Sequence, residues 1–215
     1  MINLKYFYYF LMVACFVNSL FLLKVRRIKI LALLLFISIL TEAIVEVYIS
    51  KGLNYYLIYH IFNTLEYSLI TLSLVDGIPI KPIRKLMLYS IPVFINGSLI
   101  ISLNMQDWTQ MPCISNSFEA LLIITWCIIA LWCIEPNDDR SIFMLPSFWF
   151  IIAFFIYFIC TLPFNGIFNY LITVKSNYTK AKYLFSLINS VSNYFLYIFL
   201  LIGFSLYRWK RFTPQ

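Results

Sequence analysis

The residues best equipped for proton or cation chemistry sit in two adjacent stretches, "TEAIVEVY" at 41–48 and "YYLIYHIFNTLEY" at 55–67. Between them they hold Glu42, Glu46, His60, Asn63 and Glu66 in otherwise apolar surroundings. Carboxylates beside an imidazole and an amide can bind a cation, relay a proton or ligate a metal. Glu42 and Glu46, four residues apart, share one helical face, and Ser38 extends it. His60, Asn63 and Glu66 advance by threes, which winds a slowly drifting polar stripe along one helix.

The elements that carry them must be membrane helices. The chain of 215 residues is 62% hydrophobic and only 12% charged, with a mean hydropathy of +0.87. Soluble domains carry about 25% charged residues, so lipid is the expected solvent. Seven apolar segments approach the roughly 20 residues that cross ~30 Å of hydrocarbon. They lie at about 6–23, 30–50, 55–75, 87–105, 116–134, 143–171 and 183–207. Backbone polar groups in lipid must be satisfied locally, which predicts helices. The fold expected is all-α: one seven-transmembrane-helix bundle over 1–215. Pro92, Asn96 and Gly97 dilute the fourth segment, and Pro163 is expected to interrupt the sixth.

Basic residues set the orientation. Lys24, Arg26, Arg27, Lys29, Lys81, Arg84, Lys85, Arg140, Arg208, Lys210 and Arg211 fall on one side, eleven in all. Five fall on the other: Lys5, Lys51, Lys175, Lys180 and Lys182. The positive-inside rule then places the N-terminus outside and the C-terminus in the cytoplasm. The same short clusters explain the net charge of +7 without nucleic acid as a partner. The first segment reads as a retained helix, because a basic block follows it where a cleaved signal would have small residues. The five cysteines form no CxxC or paired framework, and four lie in apolar runs.

With that orientation the polar residues share one depth. At 1.5 Å per residue, Glu46 lies ~6 Å and Glu42 ~12 Å below the outer end of the second helix. His60, Asn63 and Glu66 follow at ~8, ~12 and ~17 Å down the third. The other helices contribute Asn96, Glu119, Asn165, Asn169, Ser186, Asn189, Ser190 and Asn193, while their inner halves are plainer. An ionisable group at mid-helix costs about 2.5–3.5 kcal/mol on insertion scales and marks a functional site by default. Four acids face one histidine, with no Lys or Arg inside the spans. If all four ionise the site cannot balance its own charge, so a cation, protons or water must complete it. The competing structural reading is that Glu and Asn join helices by hydrogen bonds worth ~0.6–2 kcal/mol. It fits Glu46, Glu119 and the Asn and Ser residues of the seventh helix best.

His60 with Glu42 and Glu66 could supply nitrogen and oxygen ligands to a metal, although one histidine without HExxH spacing is a weak signal. No G-x-S-x-G turn or Gly-rich phosphate loop is present, so no catalytic residue and no cofactor is assigned. "LTEAIVEVY" followed by "LNYYLIYHIFNTLEYSL" resembles a group of small uncharacterised seven-helix integral membrane proteins of Bacteroidota. That resemblance implies the seven-helix architecture and a bacterial inner membrane, and brings no activity with it. The function expected is a ligand- or proton-binding sensor with an acidic cavity open to the outer side. It would take protons or a small cationic ligand from outside and act through a signalling partner protein. The alternatives are a proton- or cation-coupled transporter with Glu66 as carrier, and a metal-dependent intramembrane hydrolase.

Overall fold

The computed structural model describes the backbone of residues 2–105, 107–134, 141–173 and 178–212, and the side chains of 7–105, 107–134, 141–166 and 187–209. Seven α-helices occur where the seven apolar segments lie. They are α1 (Ile2–Leu20), α2 (Arg26–Ser50), α3 (Tyr56–Val75), α4 (Lys81–Asn104), α5 (Cys113–Trp132), α6 (Pro146–Thr173) and α7 (Tyr178–Phe212), with a single 3-10 turn at Ile142–Met144. Among the described residues there is no strand.

Five helical stretches are long and apolar enough to cross a membrane: Arg26–Ser50, Lys81–Asn104, Cys113–Trp132, Pro146–Gly166 and Leu187–Trp209. The described part of α1, Phe7–Leu20, is a shorter apolar helix. Helix α3 is diluted by His60, Asn63, Thr64 and Glu66, of which His60 and Asn63 are buried along with Tyr67 and Ile70. The outer surface is greasy instead, with Phe10, Tyr89, Val93, Leu103 and Trp132 exposed. Apolar exposure on that scale suits lipid and not water. The chain is therefore a helical membrane protein.

Helix packing closes a ring in the order α1, α2, α3, α5, α6, α7 and back to α1, while α4 packs outside the ring against α3 and α5. A polar relay fixes α4 in place. Trp126 Nε1 donates to the Tyr67 hydroxyl at 3.2 Å, which lies 2.6 Å from Ser90 Oγ. Tyr67 also packs on Phe94, ring centroids 4.2 Å apart. Across the ring, Cys15 Sγ donates to the Tyr197 carbonyl at 3.2 Å, tying α1 to α7.

Helix α2 ends on a glycine cap. Gly52 has φ 66, a left-handed conformation that costs glycine nothing. Its N–H donates to Ile49 O at 3.1 Å and that of Leu53 to Tyr48 O at 2.9 Å, the paired bonds of a Schellman motif. Asn54 Oδ1 then accepts from the Tyr56 N–H at 2.9 Å to start α3, so α2 and α3 form a tight antiparallel hairpin.

The end of the bundle away from that hairpin turn has a mainly apolar core. Ile28, Leu31, Leu74, Ile123, Phe150 and Phe204 are fully buried there. Arg27, grouped by sequence with the loop cations, is buried too, its guanidinium 5.5 Å from the Phe150 ring centroid. Arg26 stays at the surface, 3.8 Å from Asp76. Pro163 does not interrupt the sixth helix: α6 runs through it to Thr173. One proline removes a single backbone donor, and the turns on either side continue.

Candidate functional site

The ring encloses a cavity at the end bearing the α2–α3 and α4–α5 connections. It has two lobes. The larger, about 140 Å³, is bounded by Ser38, Thr41 and Glu42 of α2, Tyr59, Asn63 and Glu66 of α3, and Asn189, Asn193 and Tyr197 of α7. Its apolar floor is Leu34, Leu35, Leu196 and Leu200, with Phe62 and Phe154 on the walls. The smaller, about 70 Å³, adds Glu119 of α5 and Thr161 and Asn165 of α6. Asn63, Glu66, Met111, Asn116, Tyr157 and Asn189 border both lobes, so Glu66 stands on the shared wall.

Helical periodicity explains how these side chains meet. On α6, Tyr157, Thr161 and Asn165 lie at successive i, i+4 positions; on α7, Asn189, Asn193 and Tyr197 do the same. Asn116 precedes Glu119 by three residues on α5. Each helix thus presents one polar stripe to the ring interior and apolar surface elsewhere.

Glu42 is held in place by α1, accepting hydrogen bonds at Oε2 from the hydroxyls of Tyr8 at 3.3 Å and Tyr9 at 3.1 Å. Asn193 Nδ2 donates to Asn189 O at 2.8 Å and to Asn189 Oδ1 at 3.1 Å. Those bonds stay within α7, so this pair stiffens its own helix. Three other polar atoms at the cavity are buried with no hydrogen-bond partner among the described residues: Asn63 Nδ2, Asn116 Oδ1 and Glu119 Oε1. Leaving a buried polar group unsatisfied costs about 1–3 kcal/mol. An unmet donor and two unmet acceptors on one small space are the signature of a site that takes water or a ligand.

The sequence-derived set therefore separates. Glu42, Asn63, Glu66, Glu119, Asn189 and Asn193 border the cavity; His60, Glu46 and Asn96 do not. His60 is buried elsewhere, with Nε2 3.1 Å from Gln110 O and Nδ1 2.9 Å from Ser102 Oγ. In the neutral ring, Nε2–H donates to the carbonyl and Nδ1 accepts from the hydroxyl. Trp108 packs on the ring, centroids 5.1 Å apart. With both nitrogens engaged there, His60 does not converge with Glu42 and Glu66, the three residues named for any metal. Among the described residues no group of three or more His, Cys, Asp or Glu converges to hold an ion. Asn96 fails for a topological reason: α4 lies outside the ring, and the exposed Asn96 amide donates back to Pro92 O at 2.7 Å. Glu46 is half-buried one turn beyond Glu42, off the cavity lining. The side chains of Asn169 and Ser186 lie outside the described residues.

His60 has a positioning role instead. Together with Asn54 Nδ2, which donates to Thr109 O at 2.9 Å, it ties down the loop at 107–112. That loop supplies Met111 and Pro112 to the cavity rim. His60→Ala should therefore lower stability by about 1–3 kcal/mol, the cost of stranding buried partners, and leave cation binding at the cavity carboxylates intact. Thermal unfolding with and without ligand checks this; a lost ligand response at unchanged stability would return His60 to the site.

Sequence reading passed over Asn116 and the tyrosines at 8, 9, 59, 157 and 197. Asn116 was legible from its i, i+3 spacing to Glu119. The tyrosines were not, since 16 of them are spread along the chain and their hydroxyls look alike until the ring is closed. Compared with known proteins, the chain matches no family model, no curated protein and no solved structure. The cavity's own chemistry has to carry the functional reading.

Proposed function

We propose that all seven helices cross a bacterial inner membrane, N-terminus outside, and that the cavity is an outward-facing receptor for a small cation. One observation carries the reading. Three carboxylates, Glu42, Glu66 and Glu119, border the cavity, and among the described residues no Lys or Arg lines it. Inside the membrane such charge is costly unless a partner meets it.

The orientation rests on the basic residues, whose larger share lies at the end opposite the cavity. The packed layer of Ile123, Phe150 and Phe204 beneath the floor favours one-sided binding over transport, because these large side chains are fully buried and apolar. Binding is then reported by a shift of helices to a signalling partner, and a stabilised complex copurifying with the protein is the expected sign of it.

Topology is tested by cysteine labelling in whole cells. Lys51→Cys, exposed on the α2–α3 turn, should react with a membrane-impermeant maleimide, whereas exposed Lys81→Cys should react only after permeabilisation. The reverse pattern would turn the bundle over and open the cavity to the cytoplasm.

A further inference from the structure

We infer that the smaller lobe holds the head of a primary ammonium compound whose short apolar body lies in the larger lobe. This rests on the cation-receptor reading above and narrows its ligand. A primary ammonium offers three N–H donors and no acceptor. The smaller lobe offers matching oxygens: Glu119 Oε1 and Asn116 Oδ1, both buried without a partner among the described residues, and the Glu66 carboxylate on the wall between lobes. A quaternary ammonium has no N–H to give them.

Size agrees with chemistry. About 70 Å³ equals roughly two waters at ~30 Å³ each, enough for an ammonium head and one water. That water gives the Asn63 amide N–H its acceptor. The larger lobe, at about 140 Å³, approaches the ~150 Å³ that accommodates benzene in a protein core. Its leucine floor and its Phe62 and Phe154 walls suit an alkyl body of about six carbons. The amine arrives charged, since a primary alkylamine has a pKa of about 10.4.

The test uses the intact protein in lipid nanodiscs, titrated calorimetrically with the chlorides of butylammonium, hexylammonium, tetramethylammonium and sodium. Hexylammonium should bind tightest, with affinity rising about fourfold per methylene from butyl upward. Glu119→Gln, which turns a charge-assisted hydrogen bond into a neutral one, and Asn116→Ala, which removes one hydrogen bond to the charged head, should each weaken it about 10- to 100-fold. Asn96→Ala, outside the ring, should leave it unchanged. Native elution on gel filtration is required of each variant, and Asn116→Ala decides alone if Glu119→Gln does not fold. Tetramethylammonium binding as tightly as butylammonium, or sodium binding alone, would overturn the primary-amine assignment and leave the receptor reading standing. Binding by none of the four would remove both.

Discussion

A Glu66→Gln protein should fold normally and lose the stabilisation that a bound cation gives the native chain. A ligand that binds only the folded state at 100 times its Kd stabilises by about 2.7 kcal/mol. Glutamine keeps the shape of glutamate and its hydrogen-bonding oxygen, and removes the charge from the wall that both lobes share. The native protein should therefore unfold several degrees higher in saturating butylammonium, and the variant at the same temperature with or without it. Glu42→Gln should show a smaller loss, because the Tyr8 and Tyr9 hydroxyls already serve that carboxylate. If both variants fail to accumulate as folded protein, the carboxylates join helices and the receptor reading falls.

Gly203→Ala tests the apolar half. A Cβ there would lie 2.5 Å from Phe150 Cε1 and 2.8 Å from Cδ1, closer than real contacts allow. The Phe150 ring cannot swing freely, being packed on Phe204 at 5.1 Å between centroids and capped by the Arg27 guanidinium. Overpacking of this kind costs about 1–3 kcal/mol, and the upper end is expected here. Helix propensity pulls the other way, since alanine is favoured over glycine by about 1 kcal/mol. The sign of the measured change therefore identifies the clash. Unfolding in detergent should show net destabilisation, restored in large part by adding Phe150→Leu. A more stable Gly203→Ala chain would mean the layer beneath the cavity is loosely packed, and the argument against transport would weaken with it.

The helices were legible in sequence because runs of apolar residues near membrane-crossing length leave the backbone one way to satisfy itself. The cavity was half legible. Glu42, Asn63 and Glu66 declared themselves through helical spacing in an apolar background, which local sequence carries directly. His60 stays off the cavity lining because depth along α3 says nothing of azimuth: it lies at the right level and faces Ser102 of α4 and the 107–112 loop instead of the ring interior. Asn96 was misassigned because sequence order does not reveal that α4 is the helix left outside. Ring closure depends on which pairs of helices pack, a property of the whole chain. The plainness of the inner helix halves, by contrast, translated directly into the buried layer around Phe150.

Helix α7 runs 35 residues, Tyr178–Phe212, or about 52 Å, while the hydrocarbon it crosses is ~30 Å thick. From Asn193 at the cavity to Phe212 is about 28 Å of rigid rod, and a tilt of about ten degrees at the upper end would swing the lower tip by roughly 5 Å. Along that length Gly203 and Phe204 pack on Phe150 of α6, and nearer the tip Arg208 rests 5.4 Å from the exposed Phe21 ring in the turn after α1. On the receptor reading proposed above, α7 would work as a lever with α6 packed along it: motion too slight to notice among the asparagines would become a wider stroke at its lower tip.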